Sequence, residues 1–115
     1  MAFDEALAAR IRQSLAHRTK IEERKMFGCI AFMVSGHAVA GVWKRSLIAR
    51  VGPNEYEEAL LEPHVREFDI TGKPMRGWVV VGPGAIEEDG SFTAWVQRAL
   101  ECVGTLPKKR IGRLA

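Results

Sequence analysis

Cysteine is scarce in this chain, with two in 115 residues, and there are only three histidines and one tyrosine. Cys29 and Cys102 stand far apart in apolar surroundings, which argues against the disulfide framework of a small secreted domain and for reduced core thiols. His17, His37 and His64 have no neighbour at the spacings zinc sites use, so no metal site is expected and all three read as surface or turn residues. No apolar run approaches the ~20 residues of a membrane span. The opening Ala2-Phe3-Asp4-Glu5 is acidic, without the basic start of a secretory leader. A cytoplasmic protein with no membrane role is the expectation.

Nucleotide fingerprints are missing too. There is no Walker loop and no dinucleotide glycine pattern. Gly82-Pro83-Gly84 follows an apolar run, but its proline removes a backbone donor that a phosphate would want. No cofactor is expected. No catalytic residue is expected either. Glu55, Glu57, Glu58, Glu62, Glu67 and Asp69 read as a solvated acidic face. Cys29, in an apolar strand, reads as an inert thiol rather than a nucleophile served by the distant His37.

What the chain does have is an apolar stretch from Arg24 to Val51, around which the rest is arranged. The composition, 47% hydrophobic and 27% charged, is that of a globular protein, and this length supports a core without metals or disulfides. The spacing predicts a first helix over Asp4–His17, with Leu7, Ile11 and Leu15 on one stripe and Asp4 and Glu5 at the positive end of its dipole. Arg18–Glu23, charged and unpatterned, reads as a loop.

A strand over Lys25–Val34 follows. Both of its faces are apolar, so it is expected to be covered twice, by helices or a second subunit. Ser35-Gly36 reads as a hairpin turn, His37–Trp43 as a second strand, Lys44-Arg45-Ser46 as a turn and Leu47–Val51 as a third strand with Arg50 toward water. A short helix over Asn54–Leu61, strands over His64–Ile70 and Gly77–Val81, and a final helix capped by Ser91 complete the chain. That helix carries Phe92, Trp95, Val96, Ala99, Leu100 and Val103 at helical spacing. The order is helix, three-stranded antiparallel meander, helix, two strands, helix: the α+β class. One domain is expected over 1–106, with no internal repeat.

Residues 107–115 form a basic tail holding Lys108, Lys109, Arg110 and Arg113 and no acid. The chain has 17 basic and 14 acidic residues, so the tail carries the positive balance and the body is close to neutral. The tail reads first as a disordered solubilising end and second as a weak, non-specific nucleic-acid contact. Arg24 and Lys25 before the first strand, and Lys73 and Arg76 between the last two, read first as gatekeepers flanking aggregation-prone strands and second as a shared basic surface for a partner or nucleic acid. Trp43, Trp78 and Trp95 lie in apolar rows and read as core rather than as a stacking platform for bases.

These motifs also carry a resemblance. Arg24-Lys25-Met26-Phe27-Gly28, the hairpin through Gly36, Gly72-Lys73-Pro74-Met75 leading to Trp78, and Trp95 in the last helix resemble the N-terminal domain of the TfoX/Sxy competence regulators, over about residues 8 to 104. The resemblance implies a secretion-chaperone-like α+β fold in a bacterial cytoplasmic protein with a regulatory, non-enzymatic role exerted through a protein partner. Met26, Phe27, Gly28, Gly72, Pro74, Met75 and Trp95 would then be structural motif residues. In the full-length regulators a helical C-terminal domain follows and the proteins act with the cyclic-AMP receptor protein; here only the basic tail follows. A homodimer is expected from the two-sided apolar first strand and an exposed sheet edge.

Overall fold

The computed structural model describes residues 4–16, 21–26, 28–69 and 72–104. It is an α+β fold in which one six-stranded antiparallel sheet carries three helices. The elements are α1 (Glu5–Ser14), β1 (Ile21–Met26), β2 (Cys29–Val34), β3 (His37–Trp43), β4 (Ser46–Arg50), α2 (Tyr56–Leu60), β5 (Val65–Glu67), β6 (Trp78–Val81) and α3 (Asp89–Gly104). The strand order is β1-β2-β3-β4-β6-β5.

The expected three-stranded meander is a four-stranded one. The predicted strand over Lys25–Val34 is two strands, paired from Ile21↔Val34 to Met26↔Cys29, with Phe27 and Gly28 between them. Gly28 takes φ 77°, the left-handed conformation that a two-residue hairpin turn requires. The segment expected to be a loop thus contains the first half of β1, Ile21 to Glu23. Glu22, Glu23, Arg24 and Lys25 are all exposed, so these four residues of the edge strand carry no alternation of apolar and polar that would mark a strand. Its charges also discourage pairing with another edge. The opposite edge, β5, is only three residues long. The turn expected at Ser35-Gly36 is present, with both residues at positive φ.

The core lies between the sheet and its helices. Ile30, Phe32 and Val34 of β2, Leu47 and Ala49 of β4 and Val79 and Val81 of β6 form one cluster with Leu7, Ile11 and Leu15, Tyr56 and Ala59, and Phe92, Trp95, Val96, Ala99 and Val103. All three helices therefore pack on the same face. On β3 the register slips between Phe32↔Ala40 and Met33↔Ala38, leaving Val39 as an extra residue. This bulge lets consecutive Val39 and Ala40 both join the core. Of the two coverings expected for β2, helices supply only one: its second face, Cys29, Ala31 and Met33, carries no helix among the described residues, and Ala31 and Met33 stay half-buried.

Helix starts follow local chemistry. Asp4 caps α1: its Oδ1 accepts the N–H groups of Ala6 at 2.9 Å and Leu7 at 3.3 Å, and its own N–H donates to the Lys44 carbonyl at 2.7 Å. Asp4→Ala is expected to cost about 1 kcal/mol, read as a lowered midpoint in urea. The last helix begins at Asp89, before the expected cap Ser91, which lies inside it.

Arg12 on α1 ties the edge strand to the body. Its Nε donates to Glu23 Oε2 at 2.6 Å and its Nη2 to Oε1 at 2.9 Å. That pairing holds the Glu23 carboxyl below the usual carboxylate range. A depressed folded value means stability that is present above the unfolded pKa and lost as pH falls through the folded one. Both side chains are partly exposed, so Glu23→Gln is expected to cost a few tenths to about 1 kcal/mol at neutral pH. The cost should vanish at acidic pH and shrink in high salt; urea titrations at two pH values check it.

Candidate functional site

The bare face of the sheet is built from residues that alternate with the core set. Ala31 of β2, Ala38 and Gly41 of β3, Ile48 of β4 and Trp78 of β6 lie on it. Small residues on the central strands leave a trough between bulkier neighbours. The connection between β5 and β6 folds over this trough: Met75 N–H donates to the Phe68 carbonyl at 3.0 Å, and Trp78 N–H donates to the Met75 carbonyl at 3.0 Å. A tighter turn lies within it, Gly72 N–H to the Asp69 carbonyl at 2.9 Å, with Gly72 at φ 100°. The Gly72-Lys73-Pro74-Met75 string thus has a local purpose: its glycine makes the turn and its methionine is delivered to the sheet face.

The result is a groove of about 210 Å³ lined by Cys29, Ile30, Ala31, Ala38, Ala40, Gly41, Ile48, Phe68, Met75 and Trp78. The Phe68 and Trp78 rings meet at 6.2 Å, tilted by 45°. Met75 is 40% exposed, an uncommon position for a large apolar side chain. Arg50, expected to point to water, instead lies along this face. Its guanidinium carbon sits 5.6 Å from the Trp78 ring centroid, and Nη1 donates to the Ala38 carbonyl at 3.2 Å. Lys44 and Arg66 flank Trp43 at 4.7 and 5.4 Å. Only Trp95 of the three tryptophans is core; Trp43 and Trp78 are half-buried on the bare face, which corrects the expectation for those two.

The cations singled out in the sequence are spread over several elements. Arg24 and Lys25 are exposed on β1 at one edge, and Arg24 stands 3.6 Å from Glu22. Lys73 and Arg76 are exposed in the β5–β6 connection, which belongs to the other edge, and Arg76 stands 3.7 Å from Glu57. Lys108, Lys109, Arg110 and Arg113 lie outside the described residues, as do Phe27 and His17. Of the motif residues, Met26 ends β1, Gly28 turns the first hairpin, Gly72, Pro74 and Met75 build the groove's cover, and Trp95 fills the core beneath Arg98, 4.3 Å from its ring.

The acids on either side of α2 work as struts. Arg98 of α3 reaches Glu62 at 2.8 Å and Glu55 at 3.5 Å, and the Tyr56 hydroxyl donates to Glu67 at 3.0 Å. Burial pushes the Cys29 thiol up, which keeps it protonated and a poor nucleophile near neutral pH. His64 and Ser91 share a second cleft with Glu62 and Trp95, yet no hydrogen bond joins the histidine to the serine. Among the described residues no group of His, Cys, Asp and Glu could hold a metal ion, and no helix is long and apolar enough to cross a membrane.

Sequence reasoning missed the groove because its signal is a juxtaposition. The small residues of β2 and β3 show in the sequence, but that Phe68 and Met75 fold back over them does not. A family model described as TfoX N-terminal domain matches residues 13–103. No curated protein and no solved structure matches the chain.

Proposed function

As the chain belongs to the TfoX N-terminal domain family, we propose that it is a non-enzymatic regulatory module, of the competence-related kind, that acts in the cytoplasm by binding a protein partner. The family match carries this reading, since it runs from within α1 almost to the end of α3. The chemistry of the described groups supports it: the buried Cys29 thiol is held protonated, and Glu55, Glu57, Glu62 and Glu67 are engaged with Arg98, Arg76 and Tyr56. We assign one partner contact to Arg24 and Lys25 on β1 and a separate one to Lys73 and Arg76 at the opposite edge of the sheet, so the partner presents acidic groups to each edge.

The test is affinity capture from the native host, comparing the full chain with a variant carrying Arg24→Glu and Lys73→Glu, alongside transcript profiling of a strain lacking the chain. One retained protein, lost in the variant, with a defined set of altered transcripts is the expected result. Turnover in a broad hydrolase and transferase screen would overturn the reading. Salt-dependent binding to a DNA duplex, abolished by removing residues 107–115, would replace it with a nucleic-acid accessory role.

A further inference from the structure

The groove on the bare face of the sheet has walls, a cover and a charge at its rim. We propose that it is a binding site for a small aromatic monocarboxylate: one ring seated on the Ala31–Gly41 floor against Met75 and the paired Phe68 and Trp78 rings, with its acid group on Arg50. This goes beyond the regulatory reading and does not depend on it.

Size selects the class of molecule. A dry apolar cavity of about 150 Å³ admits benzene, so a groove of about 210 Å³ has room for one ring and a short side chain. The walls offer only carbon and sulfur to the occupant's body. Trp78 and Phe68 supply ring faces and edges, and the Met75 thioether supplies a polarisable contact that suits an aromatic partner. An apolar body alone would leave Arg50 without a purpose on this face. The two groups that hold it, the Trp78 ring and the Ala38 carbonyl, both belong to residues lining the groove. Among the described residues no carboxylate stands within ion-pair distance of it. A guanidinium has five N–H donors, and one goes to Ala38. A carboxylate on a ring seated against Trp78 takes two more in charge-assisted hydrogen bonds.

The Gly72–Met75 string gives this site its construction. It brings Met75 onto the groove while the backbone pair between Phe68 and Met75 closes the loop. The site is therefore made by strand alternation on β2, β3 and β4 and by one hairpin connection, with no residue borrowed from the helical layer.

The experiment is titration of the full chain with 3-phenylpropionate, followed by NMR of the Trp indole, Met methyl and Ile methyl groups, with 3-phenyl-1-propanol as the uncharged comparison. Shifts centred on Trp78, Met75 and Ile48 are expected, with the acid bound more tightly than the alcohol. Arg50→Gln should weaken the acid by about tenfold, the worth of one charge-assisted hydrogen bond, and leave the alcohol unchanged. Ala31→Leu should fill the floor and abolish both. No shift at these groups in the unaltered protein at millimolar acid overturns the proposal without reference to any variant. Equal binding of acid and alcohol, insensitive to Arg50→Gln, overturns the assignment of the anion. Concentration-dependent shifts at the same groups without ligand, with a doubled mass by light scattering, would make this face the contact with a second copy and overturn it as well.

Discussion

Phe32→Ala is expected to lower folding stability by about 3–5 kcal/mol. Phe32 heads the fully buried side chains by volume, and it belongs to the core on the helix-covered face. Its cross-strand neighbour on β3 is Ala40 and its neighbour on β1 is Glu23, so on neither side is there bulk to move in when the ring is removed. The guanidinium of Arg12 lies 5.9 Å above the ring, and the ion pair that Arg12 makes with Glu23 runs over the same spot. Truncation therefore leaves a cavity and loosens the footing of the edge strand together. Against the ~5–15 kcal/mol that holds a typical domain folded, a loss of this size takes roughly a fifth of the total or more. Urea unfolding followed by tryptophan fluorescence measures it. Leu61→Ala is the control: at 85% exposed it should change stability by no more than about 0.5 kcal/mol.

Gly41→Val is expected to cost about 3 kcal/mol, the upper end of what overpacking does. Strand propensity argues the other way, since valine is among the best strand residues and glycine among the worst, over a span of ~1 kcal/mol. Local sterics decide the outcome. A Cβ at this position would stand 2.6 Å from the Ile30 carbonyl oxygen and 3.5 Å from the Ala31 Cα. Both are backbone atoms of the paired strand, and no rotamer change moves them. Either β2 and β3 separate or the ladder breaks near Ile30↔Val42 and Ala31↔Gly41. Urea unfolding gives the cost, and amide exchange at Ile30 and Val42 locates it. A Gly41→Val protein as stable as the parent would mean that the two strands lie further apart than the structure has them.

The parts of this fold that the sequence announces are those with a wet face and a dry one. Leu7, Ile11 and Leu15, and the row from Phe92 to Val103, repeat with the helical period because each helix lies on a single core. The strand β1 has no such contrast. Its charged residues are exposed, and it is a strand because β2 is beside it, a tertiary cause that leaves no periodicity. In the sequence Phe27 and Gly28 read as part of one long apolar strand, since Met26 and Cys29 on either side are apolar and hide the turn. Val39 and Ala40 show the same limit at smaller scale: a bulge that puts neighbours on one face breaks the period-two reading locally. At the site, Met75 and Gly72 were legible as a motif and Arg50 as a cation on a strand. Their meeting over Ala31 and Gly41 depends on the strand order β4-β6-β5, which no local pattern encodes.

That strand order also divides the molecule in time. The pairings from β1 to β4 join neighbours through two-residue connections, and closing such short loops costs little chain entropy. The pairing of β4 with β6 must first span α2 and β5, a longer closure that local turn chemistry does not assist. The floor of the groove belongs mainly to the half that can zip up by itself. Phe68, Met75 and Trp78 belong to the half that has to be brought back to it. A molecule seated between them would bridge the early and late halves of the folding reaction, and would slow unfolding by holding closed the seam that was the last to form.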